Sequence, residues 1–387
     1  MLVLRAARLF DGREMVDRPT VLLDGATVVA IGVDGPDDAD VVDLGDMTLL
    51  PGLVDCHQHL CFDGQGTLEE QVADVDDAGL AARARESARR ALLGGVTTLR
   101  DLGDRGFVTL PLRGQPGLPT ILAAGPPITV DGGHCWYLGG ACAGDDAGLR
   151  VAVAERAERG CDAVKVMVSG GYLTPTVPMW VSQFSLAQLR LVVEEAHRRG
   201  LPVAAHCHGV PAISDAIDAG VDAIEHCTFF TSNGRCEPRP DLLHRLAASP
   251  VTISSTLGRL PDEPLPPIVE ANLPALTASR RRLHELGATI VVGTDAGIDT
   301  AKPHDVLPHA LADLVAFGMS PVDALRAMTS RAAGVLGLAD RKGRLAAGFD
   351  ADVIAVDGDP LADPAALTRI VAVWHAGTRV GEPCEGK

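Results

Sequence analysis

His57 and His59 stand two residues apart at the end of the apolar run LVDCH (53–57). Alternate side chains of a strand share a face, so this spacing turns both imidazoles the same way. Paired imidazoles are a common means of holding a transition metal. His206 and His208 repeat the spacing around Cys207, His226 closes DAIEH (222–226), and Asp295 sits in GTDAG. Lys165 lies among valines in AVKVMVS, a stretch that otherwise reads as continuous core. An unpaired ammonium buried there is costly, so it must be neutralised, paired or modified. Of 34 basic residues only Lys165, Lys302, Lys342 and Lys387 are lysine. Where a generic positive charge suffices this chain uses arginine, so a lysine inside an apolar strand points to chemistry that needs an amine.

These residues need a scaffold that gathers them. Apolar strand candidates recur at 53–57, 96–101, 120–125, 162–168, 202–206, 222–226, 251–256 and 289–295. Helical periodicity lies between or after them over 68–93, 147–159, 186–199, 212–219, 267–286, 306–317 and 321–336. Eight buried strands alternating with helices predict a (β/α)8 TIM barrel, whose ligand site lies at the C-terminal strand ends. Five of the eight strands deliver a metal-competent or chargeable group to that rim. The first fifty residues and the last forty or so read instead as short strands between turns, too few at either end to bury a face alone. They predict a small β-sandwich built from both termini, residues 1–50 with 344–387, around a barrel of 51–343.

Taken singly, each rim group has a structural use. A strand-end histidine can be a hydrogen-bonded rim residue, Asp295 a cap, and Lys165 the partner of Asp101 or Asp295 in a buried ion pair. Independent accidents would not all fall at C-terminal strand ends.

A length of 387 residues, 47% hydrophobic and 22% charged, indicates a packed globular protein. A net charge of −17 argues against nucleic acid or an anionic membrane as partner and favours a small-molecule substrate. No apolar run approaches the roughly 18 residues of a membrane span, and the N-terminus lacks a signal-peptide core, so a cytoplasmic location is expected. Nine cysteines without a Cys-x-x-Cys pair are expected to be reduced thiols. Nothing bears on whether the chain forms a homo-oligomer.

The motifs LPGLVDCHQH, VTTLRD, AVKVMVSGG, AAHCHG, AIEHC, GTDAG and ADVIAVDGDPL resemble, in order and spacing, the amidohydrolase superfamily and its prolidase and imidazolonepropionase-like group, over residues 4 to 378. The resemblance implies two divalent metal ions, zinc being the expected ion. It implies that His57 and His59 bind the more buried ion, and His206 and His226 the more exposed one. Lys165 would take up carbon dioxide as a bridging carbamate, and Asp295 would bind metal and shuttle the proton. A carbamate turns a buried cation into a bidentate anion, which lysine can form and arginine cannot. Two ions held together lower the pKa of a water toward neutrality and polarise a carbonyl, and Asp295 then passes a proton to the leaving nitrogen.

For substrate contacts, His134 in DGGHCWYLGG lies on a glycine-flanked loop that lets a ligand approach; in the resemblance a histidine here meets a substrate carbonyl or carboxylate. His208 shares a face with His206 and serves substrate or orients a neighbour. Tyr172, one of two tyrosines, is expected to line the pocket, and Arg259 is a lesser candidate for a substrate carboxylate. Arg100 and Asp101 read as a buried structural pair. The segment IEHCTFF departs from the glycine that follows this histidine in many relatives, so Cys227, Phe229 and Phe230 are expected to alter the pocket. With Trp136, Tyr137 and Phe184 they make an apolar or aromatic substrate portion the expectation. The reading is a metal-dependent hydrolase of an amide C–N bond, a dipeptide or N-acyl amino acid first. The alternatives are a cyclic amide, imidazolone or lactone and, from another class, a non-catalytic metal-binding scaffold.

Overall fold

Apolar, largely β-branched segments form the eight parallel strands of the barrel: β1 (Leu53–Gln58), β2 (Val96–Asp101), β3 (Thr120–Ala123), β4 (Val164–Met167), β5 (Val203–Gly209), β6 (Ala223–Phe230), β7 (Thr252–Thr256) and β8 (Ile290–Gly293). The computed structural model describes residues 1–381 except 18, 175 and 176; Cys384, Lys387 and the rest of 382–387 lie outside the described residues. Pairing runs in parallel from β1 to β3 and from β4 to β8. The Asp162 amide reaches the Ala123 carbonyl at 2.8 Å, Ile128 bridges Val166, and Gln58 bridges Ala296. The eight strands therefore close on themselves as the sequence predicts.

Helices Asp77–Leu93, Asp146–Glu158, Leu186–Arg198, Val210–Ala219 and Pro267–Glu285 return the chain between strands. The single helix expected over 68–93 is two, Glu70–Ala73 and Asp77–Leu93, because the Asp76 carboxylate caps the second by accepting from the Gly79 amide. The helix expected over 321–336 also divides, at Thr329, whose hydroxyl donates to the Leu325 carbonyl at 2.7 Å. A further helix, Pro240–Ala248, opens on a proline and buries Leu242, Leu243 and Leu246; its short apolar pattern escapes the sequence reading.

Two sheets are drawn from both chain ends. One holds Leu2–Arg5, Thr20–Asp24, Thr27–Ile31 and Asp40–Asp43; the other Arg8–Leu9, Met47–Pro51, Val353–Asp357, Ile370–His375 and Thr378–Arg379. Leu4, Leu23, Val28, Leu49, Val353 and Trp374 share one apolar core between them. Here Lys342 pairs with Asp352 at 2.7 Å and Asp350 at 2.9 Å, so this lysine serves structure rather than reaction chemistry. The described cysteines are free, and no helix among the described residues is long and apolar enough to cross a membrane.

Candidate metal centre and active site

The ends of β1, β4, β5, β6 and β8 bring the chemistry-bearing side chains together. His57 and His59 face each other with 3.2 Å between their Nε2 atoms, and Asp295 Oδ1 lies 3.4 Å and 3.2 Å from these two nitrogens. The opposite nitrogen of each ring is anchored. His57 Nδ1 donates to Glu225 Oε2 at 2.9 Å, and His59 Nδ1 donates to the Gly103 carbonyl at 2.9 Å. With the protons held there, two lone pairs and a carboxylate oxygen surround one point, an arrangement that a cation relieves.

His206, His208 and His226 form a second group, with one ligand atom of each within 4.8 Å of the others. His206 Nε2 is bonded to the Gly170 carbonyl at 3.1 Å, which leaves Nδ1 as its ligand atom. His208 Nδ1 lies 2.8 Å from the Thr228 hydroxyl and His226 Nδ1 3.2 Å from that of Thr256, leaving Nε2 in both. Asp295 Oδ2 lies 4.0 Å from His226 Nδ1, so the carboxylate of the first group also borders the second. Lys165 Nζ is fully buried 3.4 Å from His57 Nε2. The ion pair with Asp101 or Asp295 considered for it is absent among the described residues.

Protonation states suit ligation. Burial first, then neighbouring positive charge, lowers His57 to about 4 and holds His206 and His226 well below the ordinary histidine value. Burial likewise takes His208 to about 4 and His134 to about 3. Burial also lowers Lys165, toward the neutral amine. Burial opposes ionisation of Asp295, yet His57 and His59 keep it well below the carboxylate range. Burial opposes protonation of His59 too, but the hydrogen bond and charge of Asp295 outweigh it and raise this one imidazole. The residues therefore fit metal ions: imidazoles, each held by its second nitrogen, converge with an ionised carboxylate and a buried amine that forms no ion pair among the described residues.

Local backbone strain delivers two of these groups. His226 and Asp295 hold φ of 68° and 61°, and Cys227 and Phe229 follow at 53° and 55°. Such left-handed backbone costs about 1–3 kcal/mol per non-glycine residue and persists only where surroundings enforce it. Gly293 admits His57, since a Cβ there would meet the histidine Cβ at 2.4 Å.

Glu225 escapes the sequence reading. It is fully buried, binds His57 and accepts from Arg100 Nη2 at 3.1 Å. Burial opposes its ionisation, but the charge and hydrogen bond of His57, with Arg100, bring it down to about 2. The expected Arg100–Asp101 pair is thus corrected: Arg100 serves Glu225 and the Cys56 carbonyl, while Asp101 accepts from the Leu60 and Gly103 amides. Asp55 is a second omission, tying β1 to β8 through the Thr294 hydroxyl at 2.6 Å and amide at 2.9 Å.

Both groups open into a cavity of about 290 Å³. His134 lines it, buried, its ring 4.4 Å from that of His206 and its Nδ1 without a partner. Tyr172 lines the rim, 46% exposed. Arg259 also lines it, but its guanidinium is engaged by Asp299 at 3.0 Å and the Pro264 carbonyl at 2.6 Å. Of Trp136, Tyr137, Phe184, Phe229 and Phe230, only Phe230 lines it; Phe184 and Phe229 are core, Tyr137 packs beside Phe62 and Leu138, and Trp136 is exposed, while Phe62 and Phe317 complete the wall.

Residues 48–380 match the Amidohydrolase family. The chain belongs to that family. As an amidohydrolase it is a hydrolase, of the class that acts on amide carbon–nitrogen bonds. It is 28% identical over 370 residues to ochratoxinase of Aspergillus niger, covering 85% of this chain and 75% of that protein. Imidazolonepropionase of Colwellia psychrerythraea is 26% identical over 352 residues, covering 82% and 78%. Among solved structures, an Xaa-Pro dipeptidase with methionine bound in its active site superposes with a TM-score of 0.84 at 28% identity, over 98% of this chain and 99% of that one.

Proposed function

We propose that this amidohydrolase uses two divalent metal ions, zinc by the chemistry of the donor set, to hydrolyse the amide C–N bond of a small molecule, a dipeptide or N-acyl amino acid first. The observation that carries the reading is one carboxylate, Asp295, lying between two histidine groups, next to a buried lysine that has no carboxylate within ion-pairing distance among the described residues. His57, His59 and Asp295 would hold one ion, His206 and His226 the other. Bound there, the pair supplies Lewis-acid polarisation and a water of lowered pKa.

The chain's own groups do the rest. The neutral Lys165 amine adds to carbon dioxide, forming an N–C bond and losing one proton to solvent, and the resulting carbamate bridges the two groups. Glu225 and the Gly103 carbonyl hold the Nδ1 protons that keep His57 and His59 oriented. Asp295 Oδ1 or Oδ2 takes the proton from water and returns it to the leaving nitrogen. His134, a lining residue of the cavity, contacts the substrate; Tyr172 and His208 flank it. A cytoplasmic setting belongs to the same proposal.

The similarity to imidazolonepropionase supports a second reading, opening of a cyclic amide by the same groups. Metal-loaded protein assayed by mass against linear N-acyl amino acids and dipeptides, and against cyclic amides and lactones, separates the two. Turnover of linear substrates is expected. Ring opening alone would favour the second reading, and no turnover on either panel would refute both.

A further inference from the structure

Arg280 stands on the long helix Pro267–Glu285 and lines the cavity that serves the histidine groups. It is 8% exposed. Its polar contacts are sparse: Nη1 makes one long bond, 3.4 Å, to the Leu276 carbonyl of its own helix, and buried Nε has no partner. The guanidinium lies over Phe317, 5.6 Å from the ring centroid. No carboxylate comes within ion-pairing distance of it among the described residues. Asp313, whose charge it feels, is engaged instead by the Gly258 amide at 3.1 Å.

Other buried guanidiniums are better served. Arg100 has Glu225 and the Cys56 carbonyl, and Arg156 has the carbonyls of Pro126 and Ala152. A guanidinium buried without an anion is destabilising, so packing alone gives no reason for one at the cavity wall. Arg280 and His208 line the same cavity. The neighbouring wall is apolar, with Phe230, Ile268, Val269, Leu273 and Phe317.

We propose that Arg280 anchors a carboxylate of the substrate. The molecule that fits is an anionic amide, an N-acyl or N-aroyl amino acid with a bulky apolar side chain, its apolar part between Phe230 and Phe317 and its free carboxylate on the guanidinium. The proposal rests on the amide-hydrolase reading for the fate of the bound molecule, but not for its binding.

Binding is therefore measured apart from turnover, by titration calorimetry of metal-loaded protein with N-(benzenesulfonyl)-L-leucine, which the site cannot cleave as an amide, and with its uncharged primary carboxamide. The acid is expected to bind on the order of 10- to 100-fold more tightly, the range for a hydrogen bond to a charged group. Arg280→Gln should abolish that preference while leaving carboxamide binding unchanged, and Arg280→Lys should restore part of it. Arg280→Met should raise the melting temperature of ligand-free protein, the reverse of what a structural arginine does. Equal binding of the two ligands, no binding of either, or a preference that survives Arg280→Gln overturns the proposal. Acid preference lost on Arg280→Gln, together with no hydrolysis of N-benzoyl-L-leucine, would uphold the anchor and count against the hydrolase reading alone.

Discussion

Changing Glu225 to Gln keeps the side chain's shape and removes its charge from a fully buried point where it accepts from His57 Nδ1 at 2.9 Å and Arg100 Nη2 at 3.1 Å. Each hydrogen bond to a charged group contributes about 1.5–3 kcal/mol, and stripping one member from a buried ion pair costs about 3–5 kcal/mol. Glutamine can still accept one bond, so the loss should sit near the lower bound, about 3 kcal/mol, seen as a fall in Tm of roughly 4 °C. The second effect is on the metal. Without the carboxylate, His57 keeps at best a neutral amide oxygen, shared with Arg100, to fix its Nδ1 proton, and metal affinity should fall about 10–100-fold, as for other partners of ligating histidines. Competition with a chelating dye measures the affinity and a thermal melt the stability. The double variant Glu225→Gln/Arg100→Met separates the two roles, because it removes the orphaned guanidinium: stability should recover substantially and metal affinity should not. Unchanged metal affinity beside a lowered Tm would falsify the positioning role and leave Glu225 a structural counter-ion to Arg100.

Further outcomes follow from the same geometry. Lys165→Ala should reduce bound metal from about two ions to one or fewer and abolish turnover, with partial rescue by short carboxylic acids; two ions and full activity in this variant would remove the bridge. Asp295→Asn should keep most of the metal yet lower kcat on the order of 10²–10⁴-fold, and activity within a few-fold of wild type would move the proton shuttle elsewhere. His134→Ala should lower kcat/KM with metal content unchanged; loss of metal would make it a ligand. Asp352 is depressed to about 2: burial pushes it up, but the His375 bond and the Lys342 charge outweigh burial. A depressed carboxylate stabilises the fold above its ordinary pKa near 4, and that contribution is lost as pH falls from about 4 through 2. Asp352→Asn should therefore cost about 2–3 kcal/mol at neutral pH and flatten the acid limb of Tm against pH, and an unaltered limb would count against this pair.

The barrel was legible because its strands are short apolar runs punctuated by turns, and all eight fall where that pattern sets them. The rim groups stood out for the same reason: Lys165, His206 and Asp295 are polar residues at or near the ends of segments that otherwise read as core. Glu225 carries the same signal, a carboxylate inside AIEH, yet strict alternation assigns it the face opposite His226. Register does put Glu225 level with His206. His226 reaches the site only through its left-handed backbone, φ 68°, which breaks the alternation. No periodicity in the sequence announces that break. Arg100 was legible as buried but not in its partner, since adjacency favoured Asp101 whereas the barrel's curvature brings Glu225 across from β6. Arg280 was invisible because 30 arginines gave no reason to single one out on a helix far along the chain.

The central claim is that two ions, joined through Lys165 and Asp295, make this chain a hydrolase of amides. The most direct measurement titrates metal-free protein with zinc in bicarbonate buffer and follows amine release from an N-acyl amino acid at each addition. Amine release that rises to a plateau at two equivalents per chain is the predicted result. A plateau at one equivalent, or no amine at any loading, would contradict it.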